Sequence, residues 1–143
     1  MIRSDSESNC AKSYAQSAPS SRTRRKTHFA AGSSILTPEH LPEMVMTPRE
    51  ASRHLVRNNV DYLPIDEIEG RVATTLFVVY PPGIATIVAG QRLCERARPM
   101  IQYLKIFERS ANIFPGFEAE IQGLYREVDE SGTIRFHTYV VRE

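Results

Sequence analysis

The stretch Thr74–Gln91 reads TTLFVVYPPGIATIVAGQ, two apolar, β-branched runs joined at Tyr80, Pro81, Pro82 and Gly83. Proline fixes φ near about −65° and has no N–H, so a Pro-Pro-Gly step between such runs cannot continue a ladder and must turn or cross over. The unbroken apolar run Leu76–Val79 predicts a strand buried on both faces near the centre of a sheet. Ile84–Val88 repeats that composition and stops at Gly90, so the two strands are expected to form the core of the sheet with the joint between them.

Upstream, Thr47, Pro48, Arg49 and Glu50 carry a helix start: the Thr47 side chain can accept the Glu50 N–H, Glu50 can reach back, and proline suits the first helical position. Such a cap contributes about 1 kcal/mol. Ala51, Leu55 and Val56 share one face of this helix, Arg49, Arg53 and Arg57 the other, and Asn58 with Asn59 suits the exit. Val60–Leu63 reads as a strand ending at Pro64. Ile65–Glu69 reads as a helical turn closed by Gly70, with Asp66, Glu67 and Glu69 at its positive end. Arg71–Val79 then continues as one strand.

Downstream, Arg92–Phe114 is the longest helical pattern, with Met100, Ile101, Leu104, Phe107 and Ala111 on one side as core. Pro99 places the regular start between Ala97 and Pro99. Phe114, Pro115, Gly116 and Phe117 fit a type II turn. Glu118–Glu127 and Thr133–Arg142 read as strands joined by a loop at Asp129–Gly132, the second alternating Ile134, Phe136, Thr138 and Val140 against Arg135, His137, Tyr139 and Val141. The expected fold class is α+β: a small antiparallel or mixed sheet, two main helices and a C-terminal β-hairpin, preceded by a disordered N-terminal tail.

The chain has 143 residues, 41% hydrophobic and 24% charged, which suits one domain burying about two thirds of its unfolded surface. The longest apolar run, Leu76–Tyr80, is far below the roughly 20 residues of a membrane span. No apolar segment follows the charged first residues, so no secretory signal is expected and a cytoplasmic location is. Cys10 and Cys94 lie in unlike contexts and fit a reducing compartment. Six basic residues face three acidic ones before Leu41, and twelve face fourteen after it. Residues 1–40 are serine-rich and aperiodic, and are expected to be a disordered tail and linker in which Ile35 and Leu36 can dock on the domain. Arg22, Arg24, Arg25 and Lys26 read as a solvated run, and nucleic-acid binding through them is not favoured. Residues 41–143 form the expected domain.

No Gly-rich phosphate loop, Cys/His metal spacing, GxSxG or HExxH occurs, and His28, His40, His54 and His137 are scattered. No catalytic, cofactor-binding or metal-ligating residue is therefore assigned. Asp66 with Glu69 is a carboxylate pair whose spacing alone does not separate a general acid from a solvated charge.

Five segments carry a resemblance: LPEMVMTPREA (Leu41–Ala51), EGRVATT (Glu69–Thr75), YPPGIATIVAG (Tyr80–Gly90), ERARPM (Glu95–Met100) and FPGFEAEIQGLY (Phe114–Tyr125). In order and spacing they resemble the carboxy-terminal domain of the bacterial ornithine/lysine/arginine decarboxylases, and the closing RFHTYVVRE looks most like the inducible ornithine decarboxylase branch. The resemblance covers Leu41–Glu143. It implies that the reaction belongs to a larger, preceding domain of the aminotransferase type, which binds pyridoxal 5′-phosphate on a lysine following a histidine. The lysines here are Lys12, Lys26 and Lys105; none follows a histidine. Ala89, Gly90 and Gln91 also stand where the family usually has Pro-Gly-Glu, which puts in doubt any polar role of that glutamate.

The resemblance implies an accessory domain with no cofactor and no decarboxylase activity of its own. One alternative is a subunit that assembles with a separately encoded catalytic domain, or with copies of itself; another is a binding module using the basic tail. The residues leave its standing as an enzyme open among these. In a complete enzyme the loop Tyr80, Pro81, Pro82, Gly83 and Ile84 is expected to face the catalytic domain, and here to be an exposed apolar surface.

Overall fold

A computed structural model describes residues 35, 37–80, 83–117 and 120–143. The reading of residues 1–34 as a disordered tail lies outside these, as do Leu36, Pro81, Pro82, Glu118 and Ala119. The described residues belong to one compact unit, Ile35–Glu143, and Ile35 is buried in its core.

The capping box forms as the sequence predicts. Glu50 N–H donates to Thr47 Oγ1 at 3.3 Å, and Thr47 N–H donates to Glu50 Oε2 at 2.8 Å. Helix α1 spans Pro48–Val56. Its exit is a Schellman turn with Asn58 at φ 56°, closed by Asn58 N–H to Leu55 O and Asn59 N–H to His54 O; asparagine tolerates this left-handed position better than most side chains. Only Ala51 of the expected apolar face is buried. Val56 is 85% exposed.

The α+β class holds, and every strand pair among the described residues is antiparallel, but the strands divide over three small sheets. Strands β1 (Glu43–Met44) and β5 (Gln91–Arg92) pair with each other. Strand β8 (Ile134–Val141) is the centre of a second sheet, between β2 (Val60–Pro64) and β7 (Tyr125–Val128). Strand β3 (Phe77–Val79) is the centre of the third, between β4 (Ile84–Ile87) and β6 (Ile121–Gln122). All of β3 is buried, as its apolar run predicts, but Leu76, expected to belong to that buried run, lies outside the strand and is exposed.

Two predicted strands are interrupted for one reason: the chain changes sheet. Arg71–Val79 is not continuous. Val72 and Ala73 make isolated bridges to Arg92 and Val140, Thr74 Oγ1 donates to Tyr139 O at 2.6 Å, and β3 begins only at Phe77 in another sheet. Glu118–Glu127 likewise splits at Gly123 (φ 89°) into β6 of the β3 sheet and β7 of the β8 sheet. The two crossings touch, since a Cβ on Gly123 would lie 2.3 Å from the Leu76 carbonyl oxygen.

Ile65–Glu69 forms consecutive turns, not a helical one, with Glu67 N–H on Pro64 O and Arg71 N–H on Ile68 O. Ile65 and Ile68 are fully buried, so the segment is a plug held by its apolar residues. Its acids do not sit on a helix terminus. Asp66 pairs with Lys105 at 2.6 Å and Glu69 with Arg98 at 2.6 Å.

Those cations belong to helix α2, Arg98–Ile113, which follows a 3₁₀ turn at Glu95–Ala97. The start lies where Pro99 requires it, and Met100, Ile101 and Leu104 are buried. They meet Phe77 and Ile87 of one sheet and Ile134, Phe136 and Val140 of another in a single core. Each such buried side chain contributes about 1.5–3 kcal/mol. After α2 the type II turn is present, with Phe117 N–H on Phe114 O at 3.0 Å and Gly116 at φ 79°. On β8 the alternation is as predicted except that Val141 is buried with Val60, its cross-strand partner.

Candidate functional site

The hairpin β3–β4 carries the Tyr80–Ile84 joint. A bulge precedes it: Phe77 faces Ile87 and Val78 faces Ala85, so Thr86 is the extra residue, and its Oγ1 donates to Phe77 O at 3.2 Å. At the tip, Gly83 N–H closes on Val79 O at 3.0 Å and Tyr80 N–H donates to Glu120 O at 3.1 Å. Gly83 adopts φ 87°, and a Cβ there would lie 3.0 Å from Tyr80 Cε1, so the ring lies beside a position that glycine keeps open. Tyr80 is 49% and Ile84 50% exposed, and Leu76 is also exposed. Pro81 and Pro82, which the sequence reading placed in the same surface, lie outside the described residues.

Many of the charged side chains are paired with one another within the fold. Asp61 accepts from Arg71 at 3.2 Å and from Arg142 at 2.8 Å, and Arg92 meets Glu143 at 2.6 Å. Partly exposed pairs of this kind contribute about 0–1 kcal/mol each. His54 Nδ1 meets Asn59 Nδ2 at 2.9 Å at the helix exit. Lys105, the lysine of the described residues, is engaged with Asp66. Among the described residues no group of three or more His, Cys, Asp and Glu side chains could hold a metal ion, and no helix is long and apolar enough to cross a membrane.

Gln91 has a structural task. Its Oε1 accepts from Val88 N–H at 2.7 Å and its Nε2 donates to Pro42 O at 3.4 Å. A carboxylate could make the first bond but not the second.

A cluster missed in sequence lies on the outer face of the β2–β8–β7 sheet. Tyr62 opposes Tyr139 and Tyr125 opposes His137 in register. The Tyr62 ring lies 4.8 Å from Tyr139 and 5.1 Å from His137 between centroids, and the Tyr62 hydroxyl donates to Glu127 Oε1 at 2.8 Å. Burial, and then the hydrogen bond to Glu127, hold the Tyr62 hydroxyl above its ordinary range. Alternation along β8 shows that His137 and Tyr139 face outward; the partners 65 and more residues away could not be read.

The family model for the carboxy-terminal domain of Orn/Lys/Arg decarboxylases matches residues 34–142. The chain belongs to that family. It is similar to the ornithine decarboxylase of Haemophilus influenzae, 39% identical over 103 residues, which are 72% of this chain and 14% of the relative. It is 41% identical over 92 residues to the lysine decarboxylase LdcA of Pseudomonas aeruginosa, 64% of this chain and 12% of the relative. The solved structure of lysine decarboxylase A from Pseudomonas aeruginosa superposes with a TM-score of 0.64 at 37% identity, over 71% of this chain and 14% of that one. This decarboxylase carboxy-terminal domain thus spans about one seventh of the length of the relatives it matches. Lysine and ornithine decarboxylases match it alike.

Proposed function

We propose that Ile35–Glu143 is an accessory domain that performs no decarboxylation by itself and docks, through the tip of the β3–β4 hairpin, on a pyridoxal-phosphate-dependent catalytic domain. The observation that carries this reading is the half-exposed pair Tyr80 and Ile84 at the tip of a hairpin whose Phe77, Val78, Val79 and Ile87 are buried, while Gly83 and Ala85 beside the pair are exposed with it. The descriptions of the relatives as ornithine and lysine decarboxylases, of which this domain matches a small share, support the catalytic partner. Lys105 does not suit the cofactor: its ammonium is committed to Asp66 at 2.6 Å on the side of α2 that meets the Ile65–Ile68 plug. Held in that ion pair, it is not a free amine nucleophile.

The test is binding of the purified chain to the separately expressed catalytic domain of a relative. Binding weakened at least tenfold by Ile84→Asp, with the Tm unchanged, is expected; wild-type chain that fails to bind, or Ile84→Asp that binds equally, overturns the docking site. A chain that associates only with itself would favour the homo-oligomer over the split enzyme.

A further inference from the structure

His137, at the middle of β8, carries a nitrogen that the fold leaves unused. Its side chain is 16% exposed, and Nδ1 is buried with no hydrogen-bond partner. Glu127 Oε2 lies 3.6 Å from it, just beyond hydrogen-bonding distance. The other oxygen of the same carboxylate takes the Tyr62 hydroxyl at 2.8 Å. The Tyr62 ring covers His137 at an interplanar angle of 20°. Tyr62 stands on β2, His137 on β8 and Glu127 on β7, so one carboxylate gathers side chains from all three strands of the sheet.

We propose that these residues form a proton-operated latch: protonation of His137 turns Nδ1 into a charged donor to Glu127 Oε2 and fastens the edge strands β7 and β2 across β8. With a neutral ring the Tyr62–Glu127 bond stands alone. With a charged ring a carboxylate shift of less than 1 Å completes a charge-assisted bond, which is stronger and shorter than a neutral one. The groups facing His137 are Tyr62 from β2, Tyr125 and Glu127 from β7, and Arg135 and Tyr139 from its own strand, Arg135 lying opposite Glu127 in register. The Arg135 guanidinium sets a constant positive background. The sign follows from binding: a proton held better in the folded state stabilises toward acid pH, and the gain disappears as pH rises.

Thermal unfolding of wild type and Glu127→Gln at pH about 5.5 and about 8 reads the latch, because glutamine keeps an acceptor for Tyr62 and removes the charge. The wild type is expected to exceed Glu127→Gln by about 2–4 °C more at the acid pH than at the alkaline one. In a His137→Gln background that pH-dependent excess should vanish. An excess equal at both pH values, or one that persists without His137, overturns the proposal. Should a variant unfold at both pH values, amide exchange of β7 in the wild type decides: protection greater at acid pH, after correction for intrinsic rates, supports the latch, and equal protection overturns it.

Discussion

Asn112 holds the peptide of Ile134 at both ends. Ile134 N–H donates to Asn112 Oδ1 at 2.7 Å, and Asn112 Nδ2 donates to Ile134 O at 2.8 Å. One turn earlier, Glu108 Oε2 accepts Phe136 N–H at 2.6 Å. Strand β2 ends at Pro64 opposite His137, so the first residues of β8 lack a strand on that side. Two side chains of α2, spaced i and i+4, replace it. Asn112→Ala is therefore expected to cost about 1–3 kcal/mol, because it strands an N–H and a C=O together. Urea unfolding with an unchanged m-value would measure this; a change below about 0.5 kcal/mol would show that water serves those groups equally well.

Gly123 stands where the chain leaves β6 for β7, at φ 89° and with a would-be Cβ 2.3 Å from Leu76 O. Gly132 has φ 81° but open space around it. Gly123→Ala combines backbone strain with a clash against rigid backbone and should cost about 3 kcal/mol or more. Gly132→Ala carries only the left-handed penalty of about 1–2 kcal/mol. Equal losses in denaturant titrations would contradict the close approach of the two crossings.

The α1 cap gives an acid-range prediction. The backbone N–H of Thr47, and then its hydroxyl, hold the Glu50 carboxyl below its ordinary range. A depressed carboxyl stabilises at pH above the unfolded carboxylate range, and that part is lost as pH falls through it. Thr47→Ala should cost about 1 kcal/mol at neutral pH, with the gap to wild type narrowing on acidification. A gap that widens toward acid pH would contradict the assignment.

Leu104 faces the common core of two sheets and is fully buried. Leu104→Ala should cost about 2–5 kcal/mol. Ile106→Ala, at a half-exposed position two residues on, should change stability by no more than about 0.5 kcal/mol. Similar losses at both positions by calorimetry would deny that α2 packs one face into that core.

What was legible in sequence is what short-range chemistry dictates. The Thr47–Glu50 box, the Pro99 start of α2, the Phe114–Phe117 turn and the alternation of β8 each depend on residues a few places apart, and each is present. The strand breaks at Thr74–Leu76 and Gly123 were not legible, because they arise from a change of sheet that only the distant contact between Leu76 and Gly123 reveals. The same limit hid the partners of Asp66 and Glu69, which are Lys105 and Arg98 on α2. In the candidate site, the apolar character of Tyr80 and Ile84 was readable and their exposure follows from the hairpin tip. The Tyr62–His137–Glu127 cluster was not, since it needs the register of three strands.

The central claim is that this domain accompanies decarboxylase chemistry without performing it. Incubating the purified chain with pyridoxal 5′-phosphate and ornithine, lysine or arginine, and measuring released CO₂ together with the absorbance of lysine-linked cofactor, tests it most directly. A purely accessory domain gives CO₂ at the protein-free blank and no such absorbance; CO₂ release in proportion to chain concentration, abolished by Lys105→Ala, would contradict that role.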